Sequence, residues 1–215
     1  MLSDDRLVIW DCDGVLVDSE LLGAMAFGEI IRSYGVDIDD QTVLKALKGG
    51  NIHVSLEYVS ALTGESDLMK LERRFRERSF ELFNSELLPI EGVAEVIPKI
   101  SNHRCVASNG PKTKILKNLE ITGLKKFFSD DNIFSGHDIG SFKPEPDLFL
   151  HAAATLGFTP DQCVVIEDSL HGAEAAEKAG ITCFLYSHDE EVNGNFISFG
   201  AMCDLLELVQ SVCSR

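Results

Sequence analysis

No apolar run in the 215 residues approaches the roughly 20 needed to cross a bilayer, and no basic stretch followed by a long apolar segment reads as a secretory leader. A membrane-bound or exported protein is not expected. Positive charge is also scarce: 19 Lys and Arg stand against 35 Asp and Glu, for a formal net charge of −16. Such a surface repels the phosphate backbone of nucleic acids and anionic membranes alike. The six cysteines (Cys12, Cys105, Cys163, Cys183, Cys203, Cys213) form no C-x-x-C pair, and four lie in or beside short apolar runs. Buried, reduced thiols are expected, and with them a cytoplasmic location. Internal repeats, low-complexity tracts and long linkers are absent as well.

What is present is the balance of an ordinary globular chain, 45% hydrophobic and 25% charged, able to bury a sizeable core. The length suits one large domain carrying an insertion, as a monomer or a small homo-oligomer. Short apolar runs at Leu7 to Trp10, Arg104 to Ser108, Cys163 to Glu167 and Cys183 to Tyr186 predict strands buried on both faces, and Ile133 to Ser135 adds a candidate fifth. Helical periodicities lie between them, at Ile115, Leu116 and Leu119, at Leu148, Phe149, Ala152 and Leu156, and at Leu170, Ala173 and Ala176. Strands alternating with helices predict an α/β fold with a parallel sheet. Ser169 is placed to cap a helix and Gly180 to end it in a left-handed turn.

Residues 19–88 break that rhythm with helical patterns only (Leu22, Met25, Ala26 and Ile30; later Leu68, Leu71 and Phe75). They are expected to form a helical insert. The core then comprises 1–18 and 89–215, and the insert, entering after the first strand, is expected as a lid at the carboxyl end of the sheet, where open α/β folds bind ligands.

Chemistry-bearing residues follow the strands. After Trp10 come Asp11-Cys12-Asp13-Gly14-Val15, and strand alternation turns both aspartates to one side. Two carboxylates so close require a cation or a shared proton, unless they merely decorate a solvated D-G turn. The second strand ends in Ser108-Asn109-Gly110-Pro111, a hydroxyl and an amide at a helix entrance that suits an anion, although a cap and turn would look the same. Lys143 stands before Pro144 and Pro146, which stiffen its surroundings and make it a candidate phosphate clamp. Val164-Val165-Ile166 leads into Glu167-Asp168-Ser169, oxygen ligands suited to magnesium or, for Asp168 and Ser169, helix caps. In an acidic protein, a divalent ion and a lysine together invert the potential locally and admit a phosphate.

In this order, D-x-D-G-V at Asp11 to Val15, Ser108, Lys143 and the E-D pair Glu167 and Asp168 resemble the four motifs of the haloacid dehalogenase superfamily. The helical insert resembles the cap of the branch holding phosphoglycolate phosphatases, β-phosphoglucomutases and sugar-phosphate phosphatases. Within it, Ser108 to Pro111, Phe134 to Ile139 and Lys143 to Asp147 are most similar to the bacterial 6-phosphogluconate phosphatases.

The resemblance implies a Rossmann-like core and a Mg2+-dependent phosphomonoester hydrolase acting on a small phosphorylated metabolite, a sugar phosphate such as 6-phosphogluconate. Asp11 would attack phosphorus and form an aspartyl-phosphate, and Asp13 would protonate the leaving group and then activate water. Magnesium would be held by Asp11, the Asp13 carbonyl and Asp168, with Glu167 bound directly or through water. Lys143, Ser108 and Asn109 would neutralise or hydrogen-bond the transferring group. In the insert, Lys48 and Asn51 of the Lys48-Gly49-Gly50-Asn51 loop are candidates for the rest of the substrate, though Lys48 could simply end a helix well.

Three rival functions would each need a different set of residues. A dehalogenase needs no second aspartate, so Asp13 argues against it. A phosphomutase needs cap groups to hold a bisphosphate, and Ser19 to Gly23 carries no histidine or arginine. A non-catalytic binding protein would ordinarily have lost one of the chemical residues.

Overall fold

The computed structural model describes residues 6–47, 52–100, 103–187 and 194–213. The chain divides into two compact units, Met1–Val17 with Pro89–Arg215, and Asp18–Leu88.

The first unit is built on β1 (Leu7–Trp10), which the second unit follows in sequence with α1 (Glu20–Ser33), α2 (Asp40–Leu47), α3 (Ile52–Thr63) and α4 (Leu68–Glu86). The first unit then resumes with α5 (Val93–Ile100), β2 (Arg104–Ser108), α6 (Lys112–Ile121), β3 (Ile133–Ser135), α7 (Gly136–Ile139) and α8 (Asp147–Thr155). It ends with β4 (Cys163–Glu167), α9 (Leu170–Ala179), β5 (Thr182–Tyr186), β6 (Ile197–Phe199) and α10 (Leu205–Cys213).

The strands form one parallel sheet in the order β3-β2-β1-β4-β5-β6. This is an α/β Rossmann-like sheet whose strand order reverses beside β1, between β1 and β4, the place where such folds leave a crevice. Every residue of β1 and β4 is buried, and all but Glu167 at the end of β4 are apolar, the pattern of strands covered on both faces. Leu7, Ile9, Val165 and Cys183 pack with Phe149 and Ala152 of α8 and Ala176 of α9. Burial of this apolar surface, about 25 cal/mol per Å², is the main force holding the sheet to its helices.

Helix ends follow local chemistry. The Ser169 hydroxyl accepts from the Gly172 N–H at 3.1 Å and so caps α9. Gly180 closes the same helix at φ 71°, a left-handed conformation that costs glycine little.

Strand β6 has no counterpart in the apolar runs. Two of its three residues are exposed, and pairing with β5 at the sheet edge makes it a strand.

The second unit is helical. Phe27, Ile30 and Ile31 of α1 meet Val43 of α2, Val59 of α3 and Leu71 of α4, and Phe27 stacks on Phe75 with ring centroids 4.0 Å apart. No helix among the described residues is long and apolar enough to cross a membrane. Cys12, Cys105, Cys163 and Cys183 are buried free thiols, and Cys203 is a free thiol at the surface.

Candidate active site

The register of the central strands positions the acids. Trp10 lies opposite Val106 of β2 and Ile166 of β4, so the next residues, Asp11 and Glu167, emerge side by side. The Asp11 N–H donates to the Ile166 carbonyl at 2.9 Å and carries the ladder one step past the last apolar residue. The chain then turns back, with the Leu16 N–H donating to the Cys12 carbonyl at 2.9 Å.

Gly14 occupies this turn at φ 79°, and a Cβ there would stand 1.9 Å from Asp168 Oδ2. Only glycine lets the Asp168 carboxylate close against the turn.

Lys143 bridges the acids. Its Nζ donates to Asp11 Oδ1 and to Glu167 Oε1, each at 2.5 Å, and its side chain is 4% exposed. The ammonium also sits 4.9 Å from the centroid of the Phe149 ring. Asn109 holds the lysine by its main chain: its Oδ1 accepts from the Lys143 N–H at 2.9 Å and its Nδ2 donates to the Lys143 carbonyl at 3.3 Å. The Lys143–Pro144 peptide is cis.

Glu167 is 1% exposed and fully engaged. Besides Lys143 on Oε1, its Oε2 accepts from the Asp168 N–H, the Ser169 N–H and the Ser169 hydroxyl, each at 2.9 Å. Three donors thus meet Oε2 and one meets Oε1, so both ends of the carboxylate are held. Gly172 makes room for it, since a Cβ there would meet Glu167 Cδ at 1.9 Å.

Ser108, buried at the end of β2, accepts from the Gly110 N–H at 3.3 Å. Asp13 turns its carboxylate to Lys114 of α6, whose Nζ donates to Asp13 Oδ2 at 2.7 Å.

Burial pushes the Asp11 carboxyl up to about 7; Lys143 opposes that shift, while Glu167 and Asp13 add to it. Burial also works against the Lys143 ammonium, but Asp11 and Glu167 outweigh it and hold its pKa above the ordinary lysine value. Negative charge is therefore in excess. Carboxylate oxygens of Asp11, Glu167 and Asp168 lie within 4.8 Å of one another. A concentrated set of hard oxygen donors, one of them reluctant to ionise, fits a small divalent cation.

Asp11, Asp13, Ser108, Asn109, Lys143, Glu167 and Asp168 are thus brought to one end of the sheet. The Asp13 carboxylate stands outside the three-acid cluster, and its expected metal contact is through the main-chain carbonyl. Lys48 and Asn51 lie outside the described residues. Sequence reasoning missed Lys114, the place of Phe149 beside the ammonium, Gly172 and the hydrogen bond that the Ser169 hydroxyl, expected only as a helix cap, donates to Glu167. Lys114 had one signal, a cation in the first turn of a helix, where the dipole disfavours it.

Residues 8–186 match the haloacid dehalogenase-like hydrolase family. The chain is similar to 6-phosphogluconate phosphatase of Escherichia coli (strain K12), 34% identical over 190 residues, which cover 87% of this chain and 85% of that protein. It is similar also to the fructose-1-phosphate phosphatase of the same organism, 29% identical over 81% of this chain and 92% of the relative. Among solved structures, a haloacid dehalogenase-like protein of unknown function from Agrobacterium tumefaciens superposes with a TM-score of 0.83 at 27% identity, covering 96% of this chain and 98% of the other. Motif residues gathered at one sheet end and a family match along most of the sequence agree, and the chain belongs to the haloacid dehalogenase-like hydrolases, as a phosphatase of that family.

Proposed function

We propose that this phosphatase hydrolyses the phosphomonoester of a small sugar or sugar acid, with 6-phosphogluconate as the first candidate, through an aspartyl-phosphate on Asp11. One observation carries the reading: a buried lysine joins two carboxylates at adjacent strand ends, with a third acid within 4.8 Å. A clasp of that kind is costly to fold and is explained by a phosphoryl group that must be bound and attacked. The substrate class rests on the relatives, which are named for 6-phosphogluconate and fructose 1-phosphate.

Asp11 attacks phosphorus in line as the bond from phosphorus to the ester oxygen breaks. Protonated Asp13 gives its proton to the departing alkoxide. Asp13 then takes a proton from water as the water oxygen attacks phosphorus, which frees inorganic phosphate and restores Asp11. Lys143 neutralises charge on the transferring oxygens, and Ser108 donates a hydrogen bond to them. Asn109 and Glu167 hold Lys143 in place, from its main chain and its ammonium respectively.

Asp11, Asp168 and the Asp13 carbonyl would hold magnesium, which when bound supplies positive charge that keeps Asp11 ionised and offsets the phosphate dianion. Glu167, the third acid of the cluster, would support this set from the end of β4.

A phosphate-release screen across phosphorylated sugars and sugar acids, with magnesium, tests the reading. Release from one of these compounds, lost in Asp11→Asn, is expected. Unchanged activity in that variant, or isomer formation without phosphate release, would refute it.

A further inference from the structure

We infer that Lys114 is a positioning residue for Asp13: its ammonium, 2.7 Å from Asp13 Oδ2, fixes the orientation of the carboxylate that moves protons in the reaction. The inference rests on the proton-transfer role proposed for Asp13.

Three observations lead to it. First, Lys114 sits at the third position of α6, whose first turn carries no acid of its own. A cation there opposes the helix dipole, so helix preference does not account for the residue, whereas a carboxylate 101 positions away does. Second, the helix start is well defined. Pro111 precedes it at φ −62° and ψ 142°, and its carbonyl accepts from the Lys114 N–H at 2.9 Å. The lysine therefore reaches Asp13 from a rigid base. Third, the groups converge over Gly110, where a Cβ would lie 3.6 Å from Lys114 Cδ, 3.7 Å from Ser108 Oγ and 4.0 Å from Asp13 Oδ2. Asp13 and the hydroxyl proposed to grip the phosphoryl group thus border the same space over Gly110.

The chemistry of the contact sets the consequence. An ammonium has protons only to give, so the oxygen it holds does not deliver one. The ion pair therefore fixes Oδ2 and, with it, the plane of the carboxylate. The pair is partly exposed, 36% for the lysine and 31% for the aspartate, so its contribution to folding is small.

The test compares the wild type with Lys114→Ala, Lys114→Arg, Asp13→Ala and the Lys114→Ala/Asp13→Ala double variant. Substrates are the preferred sugar phosphate, whose alkoxide needs a proton to leave, and p-nitrophenyl phosphate, whose phenolate does not. For Lys114→Ala, kcat/KM on the sugar phosphate should fall by about 10- to 100-fold, with a much smaller loss on the aryl ester. Lys114→Arg should recover part of that loss, and the melting temperature should stay within about 2 °C of wild type.

Under single-turnover conditions with the sugar phosphate, removing Lys114 from the Asp13→Ala background should change the rate by less than about twofold. Equal losses on both esters would overturn the inference, as would a Lys114 effect that persists without Asp13, which would make the lysine a direct substrate contact. Full activity of Asp13→Ala would instead refute the proton-transfer role of Asp13, and is distinguishable because it appears in the single variant.

Discussion

Replacing Lys143 with methionine keeps most of the side-chain volume and removes the charge that joins Asp11 to Glu167. Both contacts are 2.5 Å long, and the side chains are 4%, 10% and 1% exposed for Lys143, Asp11 and Glu167. Removing one member of a buried pair costs about 3–5 kcal/mol. Coulomb's law sets an upper limit: two ionised carboxylates at the 4.8 Å limit of the cluster repel by roughly 3.5 kcal/mol at an effective dielectric constant of about 20, and Asp11, which burial already lifts to about 7, relieves part of that by taking up a proton.

For a chain of this size each kcal/mol moves the melting temperature by about 2–4 °C, so Lys143→Met should melt about 6–20 °C below wild type in chelator. Thermal unfolding followed by circular dichroism measures this. Added magnesium should recover part of the loss, because a cation among the same oxygens replaces the missing charge. Arg76→Ala, which breaks an exposed pair with Glu72, serves as the control and should shift the midpoint by less than about 2 °C. A Lys143→Met midpoint within about 2 °C of wild type would refute the idea that the buried clasp is held by charge.

Three other outcomes are expected. Excess chelator should abolish phosphate release, since an incoming dianion would meet uncompensated carboxylates at a cost of about 4 kcal/mol per charge pair at 4 Å and a dielectric constant of about 20; full activity in chelator would contradict this. Gly172→Ala should destabilise the protein by about 1–3 kcal/mol or more and impair catalysis, because its Cβ would fall 1.9 Å from Glu167 Cδ; a wild-type melting curve would show that the turn yields freely. Lys48→Ala should raise KM for the preferred sugar phosphate far more than for an aryl phosphate, and equal effects on both would remove Lys48 from the specificity residues.

The sheet was legible because its central strands are unbroken apolar runs that end in polar residues. Leu7–Trp10, Arg104–Ser108, Ile133–Ser135 and Cys163–Glu167 stand where the runs lie, and β5 begins one residue earlier, at Thr182. An apolar run is a reliable sign where both faces of a strand are covered. It fails at an edge: Ile197–Phe199 becomes a strand by pairing with β5, and two of its residues face solvent. Ser169 and Gly180 were legible as helix ends because caps depend on the conformation of one or two residues.

The order of residues along the chain pointed to Asp11, Asp13, Ser108, Glu167 and Asp168 because they stand at or within three residues of the ends of β1, β2 and β4, and strand ends in a parallel sheet point one way; Lys143, which comes after α7, stood out only by its proline neighbours and by the family resemblance. Which oxygen meets which nitrogen came only with the folded molecule. Lys143 reaches Asp11 across 132 residues, Lys114 reaches Asp13 across 101, and Asn109 grips the Lys143 main chain across 34. Such pairings depend on how β1, β2 and β4 align beside one another and on the rotation of each helix against the sheet. No local pattern of side chains encodes either, since both are set by packing among segments far apart in the sequence.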